Sequence, residues 1–147
     1  LLCSARRYGR ANYRGAQQAE TEYWKKLGVD PREIEPADGS GLSRKNLISP
    51  RAFVALLRDM EQVEAFKESL PVSGRSGTLR YRLAENGLAG RVRAKTGTLD
   101  GVSALSGYVI TNSGHTVVFS IMANNHTGSA NSMRQAIDEI VAVLASR

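Results

Sequence analysis

The sequence predicts an α/β fold of the α+β type, in which an antiparallel sheet is covered by helices. Apolar residues recur every three or four positions after residue 50 and again after residue 130, which is typical of helices with one buried face. Between these regions, from Arg91, the period changes to two, as expected for half-buried strands. Asn112-Ser113-Gly114 is a tight turn signal, which predicts that the two strands flanking it form an antiparallel hairpin.

The first predicted helix covers residues 15–27 and stops at Gly28. Asp30-Pro31 then starts a turn, and a short stretch around Ile34 is expected to be extended. Ser49-Pro50 begins the second helix, because a hydroxyl cap is followed by proline at the first helical position. The apolar stripe of this helix predicts that it ends near Lys67; its members are Phe53, Leu56, Leu57, Met60, Val63 and Phe66.

The second half of the chain contains the predicted sheet. A loop-rich region with one short helix near Leu79–Leu83 leads into strands at about 91–97, 102–112 and 116–124. A closing helix is expected from about Ala130 to Ser146. Its buried stripe consists of Ile137, Ile140, Val141 and Leu144, with Met133 extending it.

The composition indicates one globular domain or a part of one. Of 147 residues, 41% are apolar and 23% are charged, which excludes a disordered or fibrous chain. The apolar runs are too short for a transmembrane segment. The net charge of +6 allows binding to a polyanion, but Lys and Arg are spread along the chain, which favours a solvated surface. The arginine-rich stretch from Arg6 to Arg14 leaves a nucleic-acid interface as the least favoured alternative, and we expect no nucleic-acid partner.

Metal and disulfide chemistry are not expected. Cys3 is the single cysteine, which excludes an internal disulfide and a cysteine-based metal site. His115 and His126 are too few and too scattered to suggest a metal centre. We therefore expect neither a metal nor an organic cofactor.

The motif most suggestive of chemistry is Lys95-Thr96-Gly97 on the first predicted strand. Side chains alternate along a strand, so Lys95 and Gly97 share one face and Thr96 takes the other. Lysine there supplies a fixed positive charge, and a glycine lets a substrate backbone lie close against the strand. Thr98 can offer its hydroxyl to a carboxylate and its backbone amide to a developing oxyanion. These parts suit a site that holds a peptide C-terminus while a serine attacks the last amide bond. Taken alone, however, the motif favours an exposed edge strand with a solvated lysine and a turn glycine.

Four segments extend this pattern in order: "DGSGLSRKNLISP", "GRSGTLRYRL", "GRVRAKTGTLDGVSALSGYV" and "VVFSIMANN". Together they resemble the D-alanyl-D-alanine carboxypeptidases of the type-4 penicillin-binding protein family, from about Gly28 to the C-terminus, while residues 1–14 stay unassigned. The resemblance implies a serine enzyme whose Lys-Thr-Gly strand forms one wall of the active site. Lys95, Thr96 and Gly97 would then be catalytic, and Thr98 would bind the substrate carboxylate.

Of two further motifs of that family, one is absent from this sequence and the other occurs only outside its expected place. No serine is followed three residues later by lysine, so the nucleophile motif Ser-x-x-Lys is absent. Ser129-Ala130-Asn131 has the Ser-x-Asn pattern but lies just before the last helix, where we interpret it as a helix cap. We therefore expect residues 1–147 to be the C-terminal portion of a β-lactamase/transpeptidase-like domain. The nucleophile would lie in the missing N-terminal part, and this portion alone would be inactive.

The resemblance also indicates a set of substrate-binding residues. Arg44 ends the "DGSGLSR" motif and would grip the acidic side chain of the stem peptide through two parallel hydrogen bonds; an arginine that ties the loop to its own backbone is the alternative. Ser40 lies in no Gly-x-Ser-x-Gly motif, so a nucleophile role is not favoured. Its glycine-rich segment would instead shape a loop beside the cleft, because glycines allow unusual backbone angles. Leu99 and Asp100 match positions that line the substrate pocket.

The implied reaction is removal of the terminal D-alanine from peptidoglycan stem peptides through an acyl-enzyme, with cross-link cleavage as an additional activity. The expected partners are the stem peptide, β-lactams and the N-terminal part of the same enzyme, in the periplasm or extracytoplasmic envelope of a bacterium. Two alternatives stay open: a serine β-lactamase or esterase on the same fold, and a noncatalytic module that binds wall peptides.

Overall fold

A computed structural model describes residues 13–85 and 87–147 of the chain. The chain divides into two compact units, with the division after Leu56. The stretch from Arg6 to Arg14 considered for nucleic-acid binding, like Cys3, lies outside the described residues, apart from its last two positions, which begin the first helix.

The first unit contains helix α1 (Tyr13–Lys26) and a small two-stranded sheet. Helix α1 ends where predicted, since Gly28 adopts a φ of +73° that residues other than glycine rarely take. Strands β1 (Ile34–Glu35) and β2 (Leu47–Ile48) pair antiparallel; the second strand was not predicted. The apolar core of this unit consists of Trp24, Val29 and Ala52, packed against Leu27, Ile34, Ile48, Ala55 and Leu56.

The second predicted helix is two helices, α2 (Pro50–Asp59) and α3 (Glu64–Ser69). The predicted start is confirmed, because the Ser49 hydroxyl accepts a hydrogen bond from the Ala52 amide at 3.0 Å. The prediction of one helix ending near Lys67 was wrong, because Val63 takes an extended conformation, with φ −91° and ψ 94°. Leu57 of α2 and Phe66 of α3 nevertheless pack into one cluster. The apolar pattern therefore continues across the break, which is why the sequence predicts a single helix.

The three-stranded sheet contains β3 (Val92–Leu99), β4 (Val102–Ile110) and β5 (Thr116–Asn124). The strands are antiparallel in the order β3-β4-β5. Lys95 lies opposite Ser106, and Gly97 lies opposite Ala104. The strand bounds agree with the predicted ones to within about two residues, and the Gly114 amide closes the predicted turn on the Thr111 carbonyl at 3.0 Å.

Helix α4 (Ala130–Ala145) covers one face of this sheet. Val92 and Ala94 of β3 point into the core beneath it, together with Leu105, Val109, Phe119, Ile137, Val141 and Ala145. Ser129 caps the helix by accepting a hydrogen bond from the Ser132 amide at 3.0 Å, as the interpretation of Ser129-Ala130-Asn131 required. Two residues of its predicted stripe differ in burial: Ile137 is buried, whereas Ile140 is 48% exposed.

The other face of the sheet is covered only at one end by the described residues of the second unit. There Tyr108 and Val118 pack against Leu57, Phe66 and Leu70. The Tyr108 hydroxyl donates to the Leu57 carbonyl at 2.5 Å, and burial raises the pKa of Tyr108 above its ordinary value of 10.0. The antiparallel sheet covered by helices confirms the predicted α+β class.

Candidate functional site

The outer edge of β3 is half covered and half open. Residues 71–73 run along its first half: the Ala94 amide donates to the Pro71 carbonyl at 3.0 Å, and the Ser73 amide donates to the Val92 carbonyl at 2.9 Å. The segment then turns away into a short 3₁₀ helix, Gly77–Leu79. Within the described residues, the second half of β3 therefore has no strand on its outer side.

The backbone groups of Thr96 and Thr98 point to this open edge. In an antiparallel pair, consecutive residues direct their amide and carbonyl groups to opposite sides of the strand. Val92 and Ala94 bond outward to residues 71–73, whereas the Arg91 carbonyl accepts from the Ile110 amide of β4 at 3.0 Å. By this alternation the Thr96 and Thr98 groups face outward, where an extended peptide can pair with them.

Lys95 lies on the sheet face opposite α4 and is exposed. Its Nζ donates to the Thr96 carbonyl at 2.6 Å, so the ammonium group rests beside the open edge. The residues beside Lys95 on the two neighbouring strands are neutral. Ser106 of β4 lies opposite Lys95, and Ser120 of β5 lies opposite Ser106. Within residues 13–85 and 87–147 Lys95 forms no ion pair, so its charge is available to an anion.

Gly97 is not required by packing within the described chain. A Cβ atom at this position would lie 3.5 Å from the Cβ of Ala104, which is an ordinary contact, and its φ is not positive. Glycine is unfavourable within strands. The described residues therefore leave space beside Gly97.

Thr96 links the strand to the "GRSGTL" segment. Its side chain is on the same face as Val92 and Ala94, as the alternation predicted. The Thr96 hydroxyl donates to the Thr78 Oγ1 atom at 3.0 Å. The sequence did not predict this contact, because the two threonines are 18 positions apart and no local pattern pairs them.

Leu99 and Asp100 form the tip of the β3–β4 hairpin with Gly101. Leu99 is half-buried and pairs with Val102, while Asp100 is exposed. Thr98, also exposed, pairs with Ser103 on β4. The structure therefore brings Lys95, Thr96, Gly97, Thr98, Leu99 and Asp100 together along one strand and its turn.

His126 is a neighbour of this tip that sequence reasoning did not find. Its Nε2 lies 3.2 Å from the Ser103 Oγ, and its backbone amide donates to the Gly101 carbonyl at 3.2 Å. Ser103 is 1% exposed, so its hydroxyl is not accessible as a nucleophile. Ser103 and His126 are 23 positions apart in the sequence, so no local pattern signals the pair.

Ser40 and Arg44 lie in the first unit, in the loop between β1 and β2. The Ser40 hydroxyl donates to the Asp38 Oδ1 at 2.8 Å, and the Leu42 amide donates to Ser40 Oγ at 3.0 Å. Ser40 thus shapes the loop, and Arg44 is exposed. The substrate-binding roles predicted for both stay predictions.

The same loop is closed by Asn46, whose role was not predicted. Its Nδ2 donates to Asp38 Oδ1 at 3.0 Å, and its Oδ1 accepts from the Ala37 and Asp38 amides at 2.7 and 3.0 Å. Hydrogen bonds from Asn46 and Ser40 lower the pKa of Asp38 below its ordinary value of 3.8. Side-chain hydrogen bonds of Asn46, Asp38 and Ser40 therefore shape the loop that carries the "DGSGLSR" motif.

The described part of the chain contains neither a cluster of metal-binding side chains nor a helix that could cross a membrane. No group of three or more His, Cys, Asp or Glu side chains is placed to hold a metal ion. Within the same residues, no helix combines the length and the hydropathy needed to span a bilayer.

The fold is similar to a part of solved penicillin-binding proteins. The chain superimposes on the crystal structure of penicillin binding protein 4 (dacB) from Haemophilus influenzae with a TM-score of 0.83 and 28% identity, over 98% of this chain and 35% of that chain. On the complex of the same protein with a novel β-lactam, the TM-score is 0.85 at 29% identity, over 99% of this chain and 37% of that one.

The chain belongs to the D-Ala-D-Ala carboxypeptidase 3 (S13) family, whose model matches residues 4–146. It is 45% identical over 112 residues to a D-alanyl-D-alanine carboxypeptidase of Actinomadura sp. strain R39. The aligned region covers 71% of this chain and 21% of that protein. The predicted resemblance to type-4 penicillin-binding proteins is confirmed. The chain spans about a fifth to a third of the length of the curated relatives it matches.

Proposed function

We propose that these residues form the substrate-binding wall of a serine D-Ala-D-Ala carboxypeptidase that acts on peptidoglycan stem peptides. The observation that carries the proposal is the open second half of β3, where the outward backbone groups of Thr96 and Thr98 lie beside the exposed ammonium of Lys95. An extended peptide that ends in a carboxylate matches this combination of backbone pairing and positive charge.

The stem peptide would lie antiparallel to β3 at its open edge. Lys95 would attract the terminal carboxylate, and the Thr98 hydroxyl would hold it. The outward Thr98 amide would donate to the carbonyl oxygen of the scissile bond as negative charge develops there. Gly97 would leave room for the peptide backbone, since no side chain projects from that position.

The nucleophilic serine would come from polypeptide outside these residues, since the sequence contains no Ser-x-x-Lys. Its attack on the penultimate carbonyl would release the terminal D-alanine, and water would then hydrolyse the ester of the acyl-enzyme. β-Lactams would acylate the same serine. The enzyme would also cleave some of the peptide cross-links of peptidoglycan. Such substrates place the enzyme in the bacterial envelope, outside the cytoplasmic membrane.

Substrate-binding roles are also proposed for Leu99 and Asp100 at the hairpin tip and, in the first unit, for Ser40 and Arg44. Arg44 is exposed and its guanidinium suits the side-chain carboxylate of diaminopimelate. Leu99 would contribute apolar contact, and Asp100 would pair with the diaminopimelate amino group. The carboxypeptidase relatives favour this reaction over that of a β-lactamase or an esterase on the same fold.

The test is the rate at which the full-length gene product is acylated by a fluorescent penicillin. Lys95→Ala should lower the second-order rate about 100-fold, the usual effect of removing one preorganised electrostatic contact. Lys26→Ala removes an exposed lysine of α1 and should react like the unmodified protein. Equal rates for Lys95→Ala and Lys26→Ala would refute the role of Lys95.

Peptide mapping of the labelled protein identifies the acylated residue. The proposal requires a serine outside the 147 residues. Labelling of Ser40 or Ser43 would contradict it. An unlabelled protein that still binds a synthetic stem peptide in calorimetry would instead favour the noncatalytic wall-binding module.

A further inference from the structure

The tip of the β3–β4 hairpin is fastened by the loop between β5 and α4. His126 makes three contacts there: its amide donates to the Gly101 carbonyl at 3.2 Å, its Nε2 lies 3.2 Å from Ser103 Oγ, and its Nδ1 lies 3.1 Å from the Gly128 carbonyl oxygen. His126 thus links the hairpin tip to Gly128, in the loop that leads into α4.

The partners determine how the imidazole ring is protonated. A carbonyl oxygen only accepts, so the Nδ1 atom facing Gly128 must carry a hydrogen. In the neutral ring Nε2 is then an acceptor, and the Ser103 hydroxyl donates to it. The ring is half-buried and both nitrogens are occupied, so its orientation is determined by these two bonds.

The hairpin tip needs support from outside its own two strands. The turn residues are Asp100 and Gly101, and of the two only Gly101 has a positive φ, of 65°. The two-residue turns that match strand twist have a positive φ at the first central residue. A turn with a positive φ only at the second position tends to splay the strands, and bonds from a neighbouring loop oppose this.

The loop between β5 and α4 is shaped to supply those bonds. Asn125, immediately before His126, takes the left-handed conformation with a φ of 56°. That conformation is uncommon for residues other than glycine and persists where surrounding contacts hold it. It turns the chain after β5 so that the His126 amide meets the Gly101 carbonyl.

We propose that His126 is a positioning residue for the substrate site, acting through Ser103 on Thr98. Ser103 is paired with Thr98 across the hairpin, so a shift of Ser103 displaces the Thr98 hydroxyl and amide. His126 does not touch the substrate; it keeps the carboxylate-binding end of β3 in register. This inference rests on the proposed function, since it assigns His126 to the same site.

Two substitutions separate the bonds of His126. In His126→Gln the side-chain oxygen reaches about as far as Nε2 and retains an acceptor for Ser103. In His126→Asn the amide replaces Nδ1 and retains a donor for Gly128, but the bond to Ser103 is lost. Ser103→Ala removes the same bond from the other side.

The readout compares acylation of the full-length protein by benzylpenicillin and by its methyl ester, which lacks the carboxylate. For His126→Asn and Ser103→Ala we expect the benzylpenicillin rate to fall about ten- to a hundredfold, as for a small misplacement of a catalytic contact. The ester rate should change less, so the preference for the free acid falls. His126→Gln should retain most of that preference. His115→Asn, at the exposed β4–β5 turn, is the matched control and should behave like wild type.

The outcomes distinguish this inference from the proposed function. Equal loss with acid and ester, or the same loss in His126→Gln and His126→Asn, would overturn the positioning role and leave a merely structural one. An unchanged preference in Ser103→Ala would also overturn it, and this variant keeps the test decisive if His126→Asn fails to fold. If Lys95→Ala reacts normally while the His126 variants do not, the proposed function fails instead.

Discussion

Gly97 and Gly107 occupy neighbouring strands for opposite reasons. A Cβ at Gly107 would lie 2.1 Å from the Arg93 carbonyl oxygen and 2.6 Å from the Ala94 Cα, so the packing of β3 on β4 excludes any side chain there. At Gly97 the nearest described atom to such a Cβ is 3.5 Å away. Gly107 is therefore required by the packing of the fold, whereas the position of Gly97 is open to a ligand.

Alanine substitutions test this difference. Gly97→Ala should leave the thermal midpoint close to that of wild type but slow acylation by penicillin, because the methyl group intrudes on the ligand side of β3. Gly107→Ala should lower the free energy of unfolding by about 1–3 kcal/mol, as expected for overpacking. Calorimetry and penicillin labelling of both full-length variants supply the measurements. Normal labelling of a folded Gly97→Ala protein would contradict the ligand-side role of Gly97.

At the scale of elements, the start of α2 is tied to the 3₁₀ turn that precedes β1. Glu33 accepts from the Ser49 hydroxyl at 2.6 Å and forms an ion pair with Arg51. These hydrogen bonds, first from Arg51 and then from Ser49, lower the pKa of Glu33 from its ordinary value of 4.5 to about 2. Since the pKa is lower in the folded state, ionised Glu33 stabilises the fold.

This linkage has a defined pH window. The stabilisation is complete above pH 4.5, the ordinary value, and is lost as the pH falls toward about 2. Glu33→Gln should therefore lower the thermal midpoint at neutral pH and show a smaller further loss between pH 4.5 and 2 than wild type. Glu35→Gln, at an exposed strand position, is the control. Parallel acid dependence in Glu33→Gln and wild type would show that Glu33 does not contribute.

At the scale of the whole molecule, contacts distant in sequence connect the loops to the sheet and its covering helix. Arg82, in the loop before β3, forms two hydrogen bonds with Asp138 of α4, from Nε at 3.1 Å and from Nη2 at 2.7 Å. The two side chains are 17% and 23% exposed. This partly buried pair joins the "GRSGTLRYRL" segment to helix α4, which covers the sheet.

Arg82→Ala should lower the free energy of unfolding by about 1–3 kcal/mol, because the Asp138 carboxylate loses its charged partner. Arg80→Ala, at an exposed position two residues away, should change it by less than about 0.5 kcal/mol. Denaturant unfolding of both variants measures the difference. If the double variant Arg82→Ala/Asp138→Ala loses as much as the sum of the single ones, the pair is not coupled.

The sequence by itself determined the class of the fold, the bounds of the three strands and the family. Each depends on local information: the period of two, the Gly114 turn, the Ser49 and Ser129 caps, and motifs within short segments. The alternation of a strand also predicts Lys95 and Gly97 on one face and Thr96 on the other, because that period is a property of the extended backbone.

Only the tertiary structure decided which backbone groups are open to a ligand and what supports them. The outward direction of the Thr98 amide follows from the bond between Ala94 and Pro71, and the support of the hairpin tip follows from His126. The break between α2 and α3 likewise escaped prediction, because Leu57 and Phe66 share an apolar cluster on both sides of it. These features depend on residues distant in the chain, and periodicity within one segment carries no information about its neighbours in space.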